Sequence, residues 1–137
     1  MHMIITNRNS YDISKISLHD AYFEDVIYNH SEKKITIKLE SEWNDDNYVL
    51  EFQNTLYYEM TCCEFWGGGY NVFCWNEIDT TQIFDKLLRL ERVEKAESFS
   101  NDTQSHMDLH EYFGVELLIN SGDRLKIICK SINVTAI

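Results

Sequence analysis

Lys34-Ile35-Thr36-Ile37-Lys38-Leu39-Glu40 is the stretch that decides the fold. Its apolar residues occupy every second position, and polar or charged residues lie between them. This period of two is typical of a half-buried β-strand, because successive side chains of a strand point to opposite faces. The preceding segment 22–28 is rich in β-formers, and Ser31-Glu32-Lys33 between the two is typical of a turn. The sequence therefore predicts a β-hairpin over residues 22–40.

Strand signals recur outward from this hairpin, in segments that alternate or are rich in β-formers. These segments are 48–52, 55–63, 70–75, 115–119, 125–129 and 132–134. Asn120-Ser121-Gly122-Asp123 between two of them predicts a tight hairpin turn, since glycine adopts positive φ at no steric cost.

One segment carries the signals of a helix. Asp79 is a good helix cap, and the apolar residues after it recur at helical spacing. This stripe consists of Ile83, Phe84, Leu87 and Leu88. We therefore predict a mainly β protein of the α+β class, in which an antiparallel sheet of about six to eight strands carries one helix on a face. We expect a single domain over 1–137, with a weakly patterned lead-in over 1–17 and an exposed loop over 94–110.

Charge is distributed unevenly along the chain. Residues 39–85 hold ten Asp and Glu residues and no Lys or Arg, so that almost all of the net charge of −11 lies there. The same stretch contains all three tryptophans. We expect the clustered carboxylates to form one continuous negative surface, which would attract a cationic partner and repel nucleic acid and anionic membranes.

The composition and the ends of the chain limit the class of protein. An apolar content of 44% and the absence of proline favour a globular domain over a disordered segment. The N-terminus lacks the apolar core of a secretory signal, and no run is long enough to span a membrane, so we expect a cytoplasmic protein. The spacing of Cys62, Cys63, Cys74 and Cys129 does not match a zinc site, which favours buried thiols.

The primary hypothesis is a non-enzymatic protein-binding module. Tyr and Trp are enriched at interface hot spots, and carboxylates complement a basic surface. The residues predicted to contact the partner combine both types: Trp43, Asp45, Asp46, Glu64, Trp66, Tyr70 and Glu77. The alternative use of these acids is a solvated face that keeps the protein in solution. No motif predicts a cofactor, since Gly67-Gly68-Gly69 lacks the Lys-Ser/Thr of a phosphate loop.

Two other functions stay open. A metal-dependent enzyme would use His106, Asp108 and His110, which share one face of an extended strand, although a catalytic zinc site needs three protein ligands and an open position. Carbohydrate binding would use exposed tryptophans, for which Trp43, Trp66 and Trp75 are the candidates because they lie in or beside predicted loops.

A series of short motifs runs along residues 18–133. They are Leu18-His19-Asp20, the first hairpin, Phe52-x-Asn54, Phe65-Trp66-Gly67, Phe113-Gly114 and Asn120-Ser121-Gly122-Asp123. A chain with motifs in this order resembles small uncharacterised bacterial β-rich proteins, some of which are similar to immunity proteins of polymorphic-toxin systems. The resemblance implies an acidic, single-domain inhibitor of a basic toxin, such as a nuclease, and brings no catalytic residues with it.

Overall fold

A computed structural model describes residues 1–41, 47–61, 69, 71–97 and 108–137. In chain order, the elements of these ranges are β1 (His2–Thr6), a 3₁₀ helix (Ser10–Lys15), β2 (Tyr22–Asn29), β3 (Lys34–Glu40), β4 (Asn47–Gln53), β5 (Tyr57–Met60), β6 (Val72–Ile78), α1 (Thr81–Glu97), β7 (Phe113–Ile119), β8 (Arg124–Cys129) and β9 (Ser131–Ala136).

The strands within these ranges form two antiparallel sheets. Sheet A has the order β1-β9-β4-β3-β2, and sheet B has the order β5-β8-β7-β6. The predicted hairpin is present, with Ile37 of β3 opposite Val26 of β2. The mainly β class with one helix is therefore confirmed, and the described part of the chain holds nine strands in two sheets instead of about six to eight in one.

The two sheets are linked along both sides. On one side, β4 runs into β5 and β8 runs into β9, and the crossing segments remain hydrogen-bonded to each other. Lys130 N donates to Gln53 O at 3.1 Å, and Leu56 N donates to Ile128 O at 2.8 Å. On the other side, the start of β2 bridges to the start of β6, where Val72 N donates to Ala21 O at 2.8 Å.

The core lies between the two sheets and is built from the alternating residues. Ile35, Ile37 and Leu39 of β3 are buried, as the period of two predicts. Sheet B contributes the alternating residues of β7 and β8, among them Leu117 and Ile127, to the same cluster. The free thiol of Cys129 is also buried there, and burial raises its pKa to about 12.

Helix α1 crosses the outer face of sheet B. Ile128 points away from the core, because its neighbours in β8 point inward, yet it is fully buried. Gly114 and Tyr57 flank Ile128 on the adjacent strands. A Cβ at Gly114 would lie 2.7 Å from Cγ2 of Thr80, just before α1, and Lys86 Nζ lies 5.7 Å from the centroid of the Tyr57 ring. The helix therefore spans this row of residues and covers Ile128.

The structure adds detail to the sequence-based expectations. The weakly patterned segment 1–17 forms β1 and the 3₁₀ helix. Residues 94–97 of the predicted loop are helical, since α1 continues to Glu97, and residues 98–107 of it lie outside the described residues. Phe73, in the predicted strand 70–75, is 52% exposed because a register shift between Val72 and Cys74 interrupts the alternation of β6. Among the described residues, no helix has the length and the apolar run that would be needed to cross a bilayer.

Candidate functional site

A cleft lies between the 3₁₀ helix and β6. It has a volume of about 250 Å³ and is bordered by aromatic, hydroxyl, amide and carboxylate groups. The residues around it are Ser10, Tyr11, Ile13, Ser14, Trp75, Asn76 and Glu77. It includes Glu77, which the sequence analysis assigned to partner binding.

The 3₁₀ helix is held beside β6 by apolar anchors and by one indole. Ile13 and Ile16 are buried in the core, which fixes the inner side of the helix and leaves Tyr11 outside. The Nε1–H group of Trp75 donates to Ile16 O at 2.8 Å, within the protein. Trp75 therefore forms a rigid border of the cleft and has no free N–H to offer a ligand.

The start of the 3₁₀ helix is fixed by the side chain of Asn9. Its Oδ1 accepts from Thr6 N at 2.7 Å, and its Nδ2 donates to Ile4 O at 3.0 Å and to Asp12 Oδ2 at 3.1 Å. Ala136 N donates to Met1 O, so the backbone N–H and C=O groups of the odd-numbered residues of β1 bond to β9. Those of the even-numbered residues point to the free edge of the sheet. The Asn9 amide therefore satisfies edge groups that a further strand would otherwise bind.

Tyr11 gives the cleft an aromatic rim, and an ion pair lies next to its ring. The Tyr11 side chain is 66% exposed, and Lys15 Nζ lies 5.6 Å from its ring centroid. Lys15 also pairs with Asp12 at 2.8 Å. The hydrogen bond from Lys15 lowers the pKa of Asp12, and the same bond raises the pKa of Lys15. Both groups are thus held in their charged forms.

Glu77 supplies the carboxylate of the cleft. Its side chain is exposed, and within the described ranges no Lys, Arg or His lies at ion-pair distance from it. Three lysines are paired with acids elsewhere: Lys34 with Glu51, Lys126 with Glu116, and Lys130 with Glu111. Glu77 therefore keeps its charge available to a partner.

Glu77 is the one residue of the predicted partner-binding set that lies within the described part of the chain. Trp43, Asp45, Asp46, Glu64, Trp66 and Tyr70 lie outside the described residues. The neighbours that the structure gives Glu77 are different ones, namely Tyr11, Ser10 and Ser14. Sequence reasoning missed these three because they belong to the N-terminal segment, where no alternation or motif signals an element. A tyrosine within an otherwise polar run was the one signal that the sequence offered.

The described acids of the 39–85 stretch lie on several elements of the fold. Their positions are Glu40 and Glu51 on sheet A, Glu59 and Glu77 on sheet B, Asp79 before α1, and Asp85 on α1. Several serve local roles: the Tyr57 hydroxyl donates to Glu59, and Thr81 N donates to Asp79 Oδ1 at 2.9 Å. One continuous negative surface over residues 39–85 stays a prediction, since four of its ten acids lie outside the described residues.

Glu24 and Glu40 form a contact between two acids on the hairpin of β2 and β3. Tyr22 lies opposite Glu40 in the register of β2 and β3, and Glu24, two residues further along β2, lies close to Glu40. The hydrogen bond that Glu24 shares with Glu40 raises the pKa of Glu24, as two adjacent carboxylates cannot easily ionise together. Glu24 therefore takes up a proton more readily than an isolated Glu side chain does.

The residues of the two other candidate functions are only partly described. Trp75 is 6% exposed and belongs to the core, so it is not one of the exposed tryptophans that carbohydrate binding requires. His106 lies outside the described residues, while Asp108 and His110 are exposed, and Asp108 Oδ1 accepts from the backbone N of His110 at 3.1 Å. Within the described ranges, no three His, Cys, Asp or Glu side chains converge as metal ligands.

Comparison of the chain with protein-family models, with curated proteins and with solved structures finds no match in any of the three.

Proposed function

We propose that this protein is a non-enzymatic binding module for a cationic protein, of the immunity type that inhibits a basic toxin or nuclease. The observation that carries the proposal is the cleft beside the 3₁₀ helix. There, the exposed carboxylate of Glu77 and the exposed ring of Tyr11 border one concave surface. A carboxylate that has no ion-pair partner among the described residues, such as that of Glu77, is suited to a basic side chain when an aromatic ring borders the same cleft.

The overall charge supports the same kind of partner. A net charge of −11 on 137 residues raises the rate at which a basic protein reaches the surface, since long-range attraction steers its approach. The local ion pairs of Lys34, Lys126 and Lys130 partly neutralise other surfaces. Glu77 in the cleft then supplies the short-range contact that fixes the orientation of the partner.

The test is capture of the partner followed by a functional assay. The wild-type protein and Glu77→Lys are immobilised separately and exposed to a lysate of the source cell. The proposal predicts that a basic protein is retained by the wild type, is lost from Glu77→Lys, and is inhibited in its nuclease or toxic activity at a 1:1 ratio. Asp85→Asn is the matched control, because it removes an exposed acid from α1, on another surface.

Capture of an acidic partner would contradict the proposal. Equal retention by the wild type and by Glu77→Lys would also contradict it, since the cleft would then have no role in binding.

A further inference from the structure

Three side chains around the cleft donate hydrogen bonds within the protein. Trp75 Nε1 donates to Ile16 O at 2.8 Å, and Ser14 Oγ donates to Tyr11 O at 2.8 Å. Asn76 Nδ2 donates to Cys74 Sγ at 3.4 Å. Trp75 and Ser14 therefore have no free N–H or O–H for a ligand, whereas Asn76 keeps the second N–H of its amide and its oxygen.

The acceptors of the cleft are of several kinds. The Glu77 carboxylate has two oxygens, and the Asn76 amide retains its Oδ1 because its nitrogen is turned to Cys74. The ring of Tyr11 attracts positive charge, as the position of Lys15 Nζ at 5.6 Å from its centroid demonstrates. Lys15 occupies one face of that ring, and a ring has two faces. A ligand that complements these acceptors needs positive charge and several donors.

We propose that the cleft binds the side chain of an arginine, presented by the basic partner. This inference rests on the proposed function and specifies which residue the cleft recognises. The volume of about 250 Å³ is smaller than that of typical small-molecule pockets, which begin at about 300 Å³. A single inserted side chain suits this volume better than a free metabolite does.

Arginine fits the lining better than lysine does. The guanidinium group has five N–H donors in one plane and no acceptor, so it bonds a carboxylate through two parallel contacts and stacks on an aromatic ring. Glu77 and Tyr11 supply these two features. The lysine ammonium is a compact charge with a strongly held hydration shell, and it gains less from a planar acceptor arrangement.

The experiment is an NMR titration of the full-length protein with three short peptides. Acetyl-Gly-Arg-Gly-amide is compared with the same peptide carrying lysine and with the one carrying citrulline, which has the shape of arginine without its charge. The signals followed are the indole N–H of Trp75 and the backbone amides of Asn76 and Glu77. The arginine peptide is expected to shift these signals with an affinity at least about fivefold higher than either other peptide.

Two substitutions assign the interaction to the cleft. Glu77→Gln keeps the shape and removes the charge, and it should weaken arginine binding by about tenfold. Tyr11→Leu removes the ring from a residue that is 66% exposed, and it should weaken binding by about threefold without affecting the fold. Asp85→Asn should leave the affinity unchanged.

Equal binding of the arginine and lysine peptides, binding of citrulline as tight as that of arginine, or no shift at these signals at the highest peptide concentration would each overturn the arginine assignment. The proposed function and the arginine assignment can fail independently of each other. A basic protein that binds at Glu77 without preferring arginine leaves the binding module in place and removes only this inference. Selective arginine binding without a basic protein partner removes the proposed function instead.

Discussion

The indole nitrogen of Trp75 and the carbonyl oxygen of Ile16 lie 2.8 Å apart in a buried hydrogen bond. This contact joins β6 to the end of the 3₁₀ helix, the two elements between which the cleft lies. The N-terminal segment thus has a defined position on sheet B, although its sequence is weakly patterned. The width of the cleft is set within the fold, before any partner binds.

Trp75→Phe should lower the free energy of unfolding by about 1–3 kcal/mol, because it leaves the buried carbonyl of Ile16 without its donor. Urea denaturation monitored by far-UV circular dichroism measures this change. Phe73→Leu is the matched control, as Phe73 is 52% exposed on the same strand and its replacement should cost less than about 0.5 kcal/mol. Equal losses for the two variants would contradict a specific role for the indole N–H.

Asn9→Ala should destabilise the protein by about 1–3 kcal/mol, since it removes the bonds to Thr6 N, Ile4 O and Asp12 at once. Amide hydrogen exchange of Thr6 should accelerate in parallel, because the Asn9 side chain is the acceptor for that amide. Asn133→Ala, on the neighbouring strand β9, should change the stability by less than about 0.5 kcal/mol. Unchanged exchange at Thr6 in Asn9→Ala would show that the edge of β1 does not depend on this amide.

Gly114→Ala should destabilise the protein by about 1–3 kcal/mol, because the new Cβ would lie 2.7 Å from Cγ2 of Thr80 and force the segment before α1 away from sheet B. Thr80→Ser removes that methyl group and, combined with Gly114→Ala, should restore part of the lost free energy of unfolding. A double-mutant cycle by urea denaturation measures the coupling, expected at about 1 kcal/mol. Strict additivity of the two changes would mean that this contact does not position the helix.

Stability should fall as the pH rises above about 9. Burial raises the pKa of Cys129 from 9.0 to about 12, and the hydrogen bond to Glu59, more than burial, raises the pKa of Tyr57 from 10.0 to about 12. In this range the unfolded chain releases protons that the folded protein retains, so ionisation favours unfolding. Urea midpoints between pH 7 and pH 11 measure the effect, and the slope should be shallower in Cys129→Ala and in Tyr57→Phe. An unaltered slope in both variants would contradict these assignments.

The sequence was most informative where one strong period dominates. The alternation of Ile35, Ile37 and Leu39 predicted both the hairpin and its buried face, and the helical stripe from Ile83 to Leu88 marks the half-buried side of α1. Asp79 caps α1 as predicted, because it accepts from Thr81 N. In each case the local pattern and the tertiary environment favour the same structure.

The sequence pattern did not predict the structure where contacts between distant residues determine it. His2–Thr6 is a short strand that exists because β9 pairs with one of its edges and the side chain of Asn9 binds the other. The register shift after Val72 exposes Phe73, and no spacing signal announces it. The cleft depends on Trp75 meeting Ile16, a contact between residues far apart in sequence. Of the residues predicted to bind a partner, only Glu77 lies within the described part of the chain, and it borders that cleft.

The central claim is that a cationic protein binds at the cleft through Glu77. The most direct test is the association of the captured basic partner with the wild type, Glu77→Gln and Asp85→Asn, followed by stopped-flow fluorescence from about 50 mM to about 300 mM NaCl. The account predicts that salt slows association of the wild type steeply, and that Glu77→Gln weakens the complex by about tenfold while Asp85→Asn barely changes it. Association that is insensitive to salt, or an affinity that Glu77→Gln leaves unchanged, would contradict it.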